Sequence, residues 1–375
     1  MSKNLFTLFF SVLISLVIFE GALHATKQFW ASRLGVFDPL DFIVSEAELR
    51  KIKRDYDFEL GWKPKNRTKL GEREISERFG RPLLTTFGDS FVYGDEVGGS
   101  ETWQSHLAKL FGRDVYNFGV AGYGTDQALL RFRQDGLNAP FVGLGITLEN
   151  INRVMNTYRR FYSPKTGLPL TKPKAVFADG QISFNSNPIK SADELDRLRD
   201  LSFIEELGKN DIWFSKRKAV SFIPKTPYFL NLFYSDFWQR TSELKLAEAN
   251  FNLELWQDPE ATKIMRALLN QFSKDAASRG SKLIVIILPY RHDVDAARAG
   301  KQERLEELLK ICREEGLLCF NGIGYIAAEL ANKDEATIDS IWAPGMHLTD
   351  KGNSLIARGL YSFLQPIMEK RKHEL

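Results

Sequence analysis

Arg81-Pro82-Leu83-Leu84-Thr85-Thr86-Phe87-Gly88-Asp89-Ser90-Phe91-Val92-Tyr93-Gly94 is the stretch from which the fold of this 375-residue chain is read. An apolar run of strand length ends at a glycine, and a serine follows two positions later. Glycine lets the backbone turn where a side chain would clash. Open α/β sheets present reactive groups at the carboxyl ends of their strands. Ser90 is therefore a candidate nucleophile, with an ordinary Gly-Asp-Ser turn as the alternative.

Three further blocks follow the same plan. Asn117-Phe118-Gly119-Val120-Ala121-Gly122-Tyr123-Gly124 comes after a short apolar stretch, and its glycines let backbone N–H groups approach a developing oxyanion. A third apolar run, from Phe141, leads into Glu149-Asn150-Ile151-Asn152-Arg153. An asparagine amide just past a strand end offers uncharged N–H donors to the same oxyanion. Near the C-terminus, Gly345-Met346-His347-Leu348-Thr349-Asp350 precedes a last helical segment and supplies a general base.

Gly88-Asp89-Ser90, the block Asn117 to Gly122, Asn150 and His347 occur in the order of the SGNH (GDSL-type) hydrolases, which the chain resembles over about two thirds of its length. The resemblance implies a flavodoxin-like three-layer α/β/α fold with a mainly parallel sheet. It implies Ser90 as nucleophile, His347 as base, and the Ser90 and Gly122 N–H groups with the Asn150 side chain as oxyanion hole. The usual Asn-Asp pair is absent, and Asn152 competes with Asn150. A second departure concerns the acid, because Pro344 stands where the family carries an aspartate three residues before the histidine. An imidazole needs a partner that fixes its tautomer and stabilises the imidazolium. Asp339 is the first candidate for that role and Asp350 a weaker one, with a Ser–His dyad oriented by a carbonyl as the remaining option.

Elimination among the five histidines also points to His347. His24 borders the hydrophobic N-terminus, His373 sits in the basic tail, and His106 falls beside the apolar face of a helix. His292, at a strand end, is the one rival. Other chemistries lack their signatures. There is no Gly-x-Ser-x-Gly elbow, no His-Glu-x-x-His or cysteine cluster for a metal, and no Gly-x-x-x-x-Gly-Lys phosphate loop. No cofactor is expected. A formal charge of +3 with no basic stripe argues against nucleic acid.

Residues 5–19 carry no charge, and Glu20 is the sole Asp, Glu, Lys or Arg between Lys3 and Lys27. Counted through Ala25, the segment is long enough to span a bilayer. Residues 1–26 are expected as an uncleaved signal anchor, in preference to a cleaved signal peptide, because no small-x-small site follows the apolar core. Residues 27–80 then form a juxtamembrane segment, and residues 81–375 an exported, single-pass-anchored hydrolase domain on the periplasmic or extracellular side. Cys312 and Cys319 read as buried thiols rather than a disulfide, since a chain of this size builds a core without staples.

Strands are expected at Leu83–Phe87, Val115–Phe118, Phe141–Ile146, Leu283–Leu288 and Leu317–Phe320, spaced for crossover helices. Ser100 is expected to cap one helix, 301–315 forms another, and the terminal helix starts near Thr349. From about 158 to 257 the alternation stops, marking an insertion. It holds a hairpin with Asp179-Gly180 as its turn, a polar helix over 192–207, and a crowd of aromatics: Trp213, Phe214, Phe222, Tyr228, Phe229, Phe233, Tyr234, Phe237 and Trp238. Such a crowd packs a subdomain or meets lipid headgroups more often than it stacks on sugars.

The expected activity is esterase chemistry through a Ser–His acyl-enzyme, removing O-acetyl or other acyl groups from a polysaccharide or glycan. The glycan rests on family habit. The same residues serve an O-acetyltransferase, and the missing family acid leaves a catalytically weak glycan-binding scaffold as a reading from another class. An acylated substrate and the membrane are the expected partners, and no motif identifies a protein partner.

Overall fold

Strands that are apolar at every position need cover on both faces, which parallel sheets flanked by helices supply. The computed structural model of the chain describes residues 3–27, 39–220 apart from positions 66, 76, 136 and 165, 227–233, and 255–373. Its strands are β1 (Tyr56–Asp57), β2 (Gly61–Trp62), β3 (Pro82–Phe87), β4 (Asp114–Asn117), β5 (Phe141–Ile146), β6 (Lys174–Ala178), β7 (Gln181–Asn185), β8 (Lys282–Ile287) and β9 (Leu318–Asn321). Five of them form one sheet in the order β4-β3-β5-β8-β9, with every neighbouring pair parallel. Numbered along the chain, that order is 2-1-3-4-5, the flavodoxin-like arrangement. The expected α/β class and mainly parallel sheet are present, and each expected strand lies within one residue of its place at either end.

Two groups of helices flank the sheet. Trp103–Phe111, Gly322–Glu329 and Asp350–His373 pack together, and Thr125–Gln134 packs with Pro259–Ser278. The second group presses Phe132 and Phe272 onto Phe87, which itself stacks on Phe118 at 5.0 Å. This aromatic cluster packs on Phe87, the last residue of the strand that leads to Ser90. Chain direction reverses its lateral progress between β3 and β5, so the crevice at their carboxyl ends is the topological switch point where such sheets bind ligands.

Several local details differ from expectation. Thr102, not Ser100, caps the helix Trp103–Phe111, its hydroxyl accepting from the Ser105 amide, while Gly99–Glu101 forms a separate 3-10 turn. The polar helix over 192–207 breaks into a 3-10 stretch, Ala192–Arg199, and a helix, Leu201–Lys209. Asp200 causes the break, because its extended backbone lets its carboxylate cap the second piece through the Ser202 amide. The hairpin β6–β7 turns at Asp179-Gly180, both with positive φ, as a type I′ turn requires.

Residues expected as a juxtamembrane spacer contribute to the main core. Phe42, Val44, Leu49, Ile52, Tyr56, Leu60 and Trp62 are buried with the sheet and with insertion residues such as Tyr158, Phe161 and Leu195. Cys312 and Cys319, expected as thiols, are joined in a disulfide. The end of helix Glu303–Glu314 and the start of β9 bring their Cα atoms within 6.3 Å, inside the range a bridge can span. Of the aromatic crowd, Phe222, Tyr234, Phe237 and Trp238 lie outside the described residues.

Candidate active site

β3 delivers Ser90. Gly88, at φ 150°, has the carbonyl of Gly145 and a methyl of Val92 within 2.5 Å of where a Cβ would stand, so no larger residue fits between β3 and β5. Asp89 then caps the four-residue helix Ser90–Tyr93, its Oδ1 accepting the Phe91 amide at 2.9 Å. Ser90 is 7% exposed at the top of the sheet. Among the described residues no hydrogen bond joins its hydroxyl to His347; catalytic bonds of this kind often form only when substrate is present.

Asp89 also organises the block after β5. Its Oδ2 accepts the Asn150 side-chain amide at 2.9 Å, Arg153 Nη1 at 3.0 Å and the Thr147 hydroxyl at 3.2 Å. Asn150 Oδ1 in turn accepts the Thr147 amide. One Asn150 N–H is thus held by Asp89, and the amide carries a second. Asn152, its competitor, lies two residues on in the same short helix, Asn150–Val154, and its carbonyl accepts the Trp213 indole N–H at 3.0 Å. Gly122 sits at φ 81° with its carbonyl bound by Arg159 Nη1 at 2.8 Å. The loop carrying Gly122 is tied to the nucleophile loop through Val120 N–H donating to Gly88 O and Asn117 Nδ2 donating to Val92 O.

Behind these groups lies a buried charge network. Burial alone would push the Glu149 carboxyl up, but the charge of Arg153, the Tyr290 hydroxyl and Arg159 bring it below the usual carboxylate range. Burial lowers Arg153, and Glu149 and Asp89 more than offset this and raise it. Arg159 falls to about 10, first through burial and then through the charge of Arg153. Tyr290, which donates to Glu149, packs edge-on against Phe91 at 4.5 Å. The network therefore braces the helix Ser90–Tyr93 from the β5 and β8 sides.

His347 arrives on a tight turn in which Ala343 N–H donates to His347 O and Met346 N–H to Ala343 O. Its ring packs 5.0 Å from the ring of Phe91, the residue after Ser90. Its Nδ1 lies 2.8 Å from Glu96 Oε2. Glu96 additionally accepts the Gly345 amide at 2.7 Å on Oε1 and the His347 amide at 3.3 Å on Oε2. A Cβ on Gly345 would stand 2.5 Å from that carboxylate, so a glycine is needed there. Burial pushes Glu96 up, and the hydrogen bonds from His347 and Gly345 more than offset it, holding the group below its ordinary value. An ionised carboxylate only accepts, so Nδ1 is the donor of this pair and Nε2 is the ring nitrogen not engaged by Glu96. Asp95, beside it, is pushed up by burial against the opposing charge of His347.

The carboxylate in contact with His347 is that of Glu96 rather than of Asp339 or Asp350. Asp339 ion-pairs with Arg291, and Asp350 accepts His106 Nε2 at 2.8 Å. Neither hydrogen-bonds His347. The helix Glu335–Asp339 approaches Arg291 at the start of helix Arg291–Arg298, which directs the Asp339 carboxylate to that guanidinium. His292, the rival histidine, stacks on Tyr290. The signal that would have found Glu96 is the acidic pair Asp95-Glu96 placed right after the nucleophile turn. Among the described residues, no three His, Cys, Asp or Glu side chains cluster as a metal site would require.

No protein-family model and no curated protein matches the chain. Solved structures do. A catalytic mutant of an acetylxylan esterase from Geobacillus stearothermophilus is 12% identical, covering 77% of this chain and 96% of its own with a TM-score of 0.39. An alpha/beta hydrolase from the metagenome of Lake Arreo, Spain, is 12% identical over 76% of this chain and 97% of its own, TM-score 0.39. A member of the lipolytic G-D-S-L family from Veillonella parvula is 10% identical over 74% and 94%, TM-score 0.36. Likeness at this level carries no residue roles across, and the geometry of this chain has to supply them.

Proposed function

We propose that this chain is a membrane-anchored serine esterase of SGNH type that removes acyl groups, in particular O-acetyl groups, from a glycan. The observation that carries the reading is the Glu96–His347 pair seated against the nucleophile helix at the switch point of the sheet. Ser90 Oγ attacks the acyl carbonyl while its proton passes to His347 Nε2, and Glu96 stabilises the imidazolium. The oxyanion is held by the Ser90 and Gly122 N–H groups and the free N–H of Asn150. As the tetrahedral intermediate collapses, the bond to the sugar oxygen breaks and His347 returns the proton to that oxygen. Water then attacks the acyl-enzyme by the same route, releasing the carboxylic acid and restoring Ser90.

Anchoring and export are supported by the helix Asn4–Ala25, whose 22 residues suffice to cross a bilayer. The Cys312–Cys319 bridge fits an oxidising compartment. The anchor is assigned to residues 1–26, with the catalytic part outside the membrane.

Full-length protein in detergent, treated with a fluorophosphonate, tests this reading by intact mass. Wild type should gain one adduct, and Ser90→Ala and His347→Ala none. Release of acetate from an O-acetylated glycan by wild type alone would then establish the substrate class. A folded wild type that neither labels nor releases acetate would sink the proposal.

A further inference from the structure

The end of the N-terminal helix is occupied. Glu20 Oε1 accepts the Tyr228 amide at 2.6 Å and Oε2 the Phe229 amide at 3.0 Å. His24 hydrogen-bonds Glu20 at 3.1 Å, and its ring stacks on Tyr228 at 4.3 Å. The Lys27 ammonium lies 5.8 Å over the same tyrosine ring. The short 3-10 turn Tyr228–Phe233 is thereby fixed to the last two turns of the anchor.

Depth follows from length. The uncharged part, residues 5–19, spans only about 22 Å at 1.5 Å per residue, short of a hydrocarbon core of about 30 Å. Crossing therefore needs the helix through Ala25, which places Glu20 about 8 Å inside the end of the span. A bare carboxylate there is costly. The two amides and His24 satisfy it, and it satisfies two N–H groups that a 3-10 turn leaves without internal partners. Backbone polar groups at membrane depth require such partners.

The turn's other side is apolar. Phe233 is 81% exposed, the most exposed large apolar side chain among the described residues, and Leu230 is 40% exposed. We propose that the turn Tyr228–Phe233 is a second membrane contact, inserting Leu230 and Phe233 into the lipid surface beside the anchor. The partner is the bilayer interface, continuous with the lipid that covers the anchor helix. The proposal rests on the anchored reading above.

The insertion that carries the turn is tied to the Asn150 block by a residue on either side of it in sequence. Before the turn, the Trp213 indole donates to Asn152 O at 3.0 Å; after it, the Trp256 indole donates to Leu148 O at 2.8 Å. Both bonds flank Asn150.

Full-length protein in phosphatidylcholine–phosphatidylglycerol vesicles provides the test. A nitroxide is attached to Phe233→Cys, with Ser11→Cys in the anchor and Asp179→Cys at the exposed hairpin turn as references; the native cysteines are consumed in their disulfide. Collision with oxygen, which partitions into lipid, is compared with collision with an aqueous nickel chelate. The oxygen-to-nickel ratio at 233 should exceed that at 179 several-fold and approach that at 11. It should fall in a Glu20→Ala background if the carboxylate seats the turn. A lipid-like ratio at 11 with a water-like ratio at 233 would overturn the membrane contact and leave the anchor standing. Water-like ratios at both would overturn the anchor and the turn together.

Discussion

Exchanging Glu96 for glutamine separates charge from shape at the base. Glu96 accepts three N–H groups, one on Oε1 and two on Oε2. Glutamine has one oxygen, and directing its NH2 at Gly345 sacrifices one bond, whereas directing it at His347 sacrifices two. The first orientation is therefore favoured, which keeps the proton on Nδ1 and removes only the negative charge. At the 2.8 Å separation, a full charge on the imidazolium interacts with the carboxylate by about 1.5 kcal/mol in water and about 6 kcal/mol at an effective dielectric near 20. The side chains are 29% and 19% exposed, so the pair falls between these limits, at about 2–4 kcal/mol.

That charge is complete only after His347 takes the serine proton, so the loss appears in the transition state. Glu96→Gln should lower kcat/KM for a nitrophenyl acetate by roughly 30- to 900-fold near neutral pH. Asp339→Asn should change it by less than about twofold, because Asp339 is an exposed partner of Arg291. Thermal unfolding of both variants, followed by circular dichroism, controls for loss of structure. If Glu96→Gln retained activity within about twofold of wild type, or Asp339→Asn lost as much as Glu96→Gln, then Glu96 would not orient the base.

Three other outcomes are expected. Asp89→Asn should cost about 3–5 kcal/mol in denaturant-determined stability, because it leaves buried Arg153 short of one of its carboxylates; a loss below about 1 kcal/mol would show that the network tolerates a neutral centre. Glu96 sits below its ordinary value of 4.5 in the folded protein; a carboxyl depressed by folding stabilises above its unfolded pKa and loses that contribution as pH falls through the folded one. The stability difference between wild type and Glu96→Gln should accordingly shrink as pH falls below that ordinary value, and a difference that grew there would contradict the assigned shift. Replacing Cys312 and Cys319 together with serine reopens a loop of seven-residue separation, which should lower stability by about 2–2.5 kcal/mol; no change in unfolding midpoint would mean the bridge constrains nothing in the unfolded chain.

The sheet was readable from the sequence because parallel strands covered on both sides leave uninterrupted apolar runs, as in Leu83–Phe87 and Leu283–Leu288. Ser90, Gly122 and Asn150 were placeable for a related reason, since each follows its strand within a few residues and so inherits the strand's position. Glu96 was not placeable. Its contact with His347 spans 251 residues, and no periodicity links one side of such a pair to the other. The hairpin β1–β2 escaped notice because strands of two residues are too short to alternate. The disulfide was missed because core size says whether a staple is needed, whereas proximity decides whether one forms.

In the proposed mechanism the acid sits on the nucleophile's own loop, which changes what holds the site together. When acid and base share one loop, the base is oriented before it meets the serine. Here the Ser90 carbonyl accepts the amides of Gly94 and Asp95, and the next residue binds His347, so docking the histidine loop and orienting its ring are one event. Glu96 and Met346 flank that contact with φ of 72° and 73°. Each is a conformation costing about 1–2 kcal/mol for a residue other than glycine. Glycine at 346 would relieve that cost, whereas glycine at 96 would delete the contact itself. Strained backbone on both sides of the Glu96–His347 bond is consistent with the catalytic role proposed for that pair. The proposed site is thus completed by three separate loops, those carrying Ser90 and Glu96, Asn150, and His347. Its precision therefore depends on their mutual docking more than on the sheet beneath them.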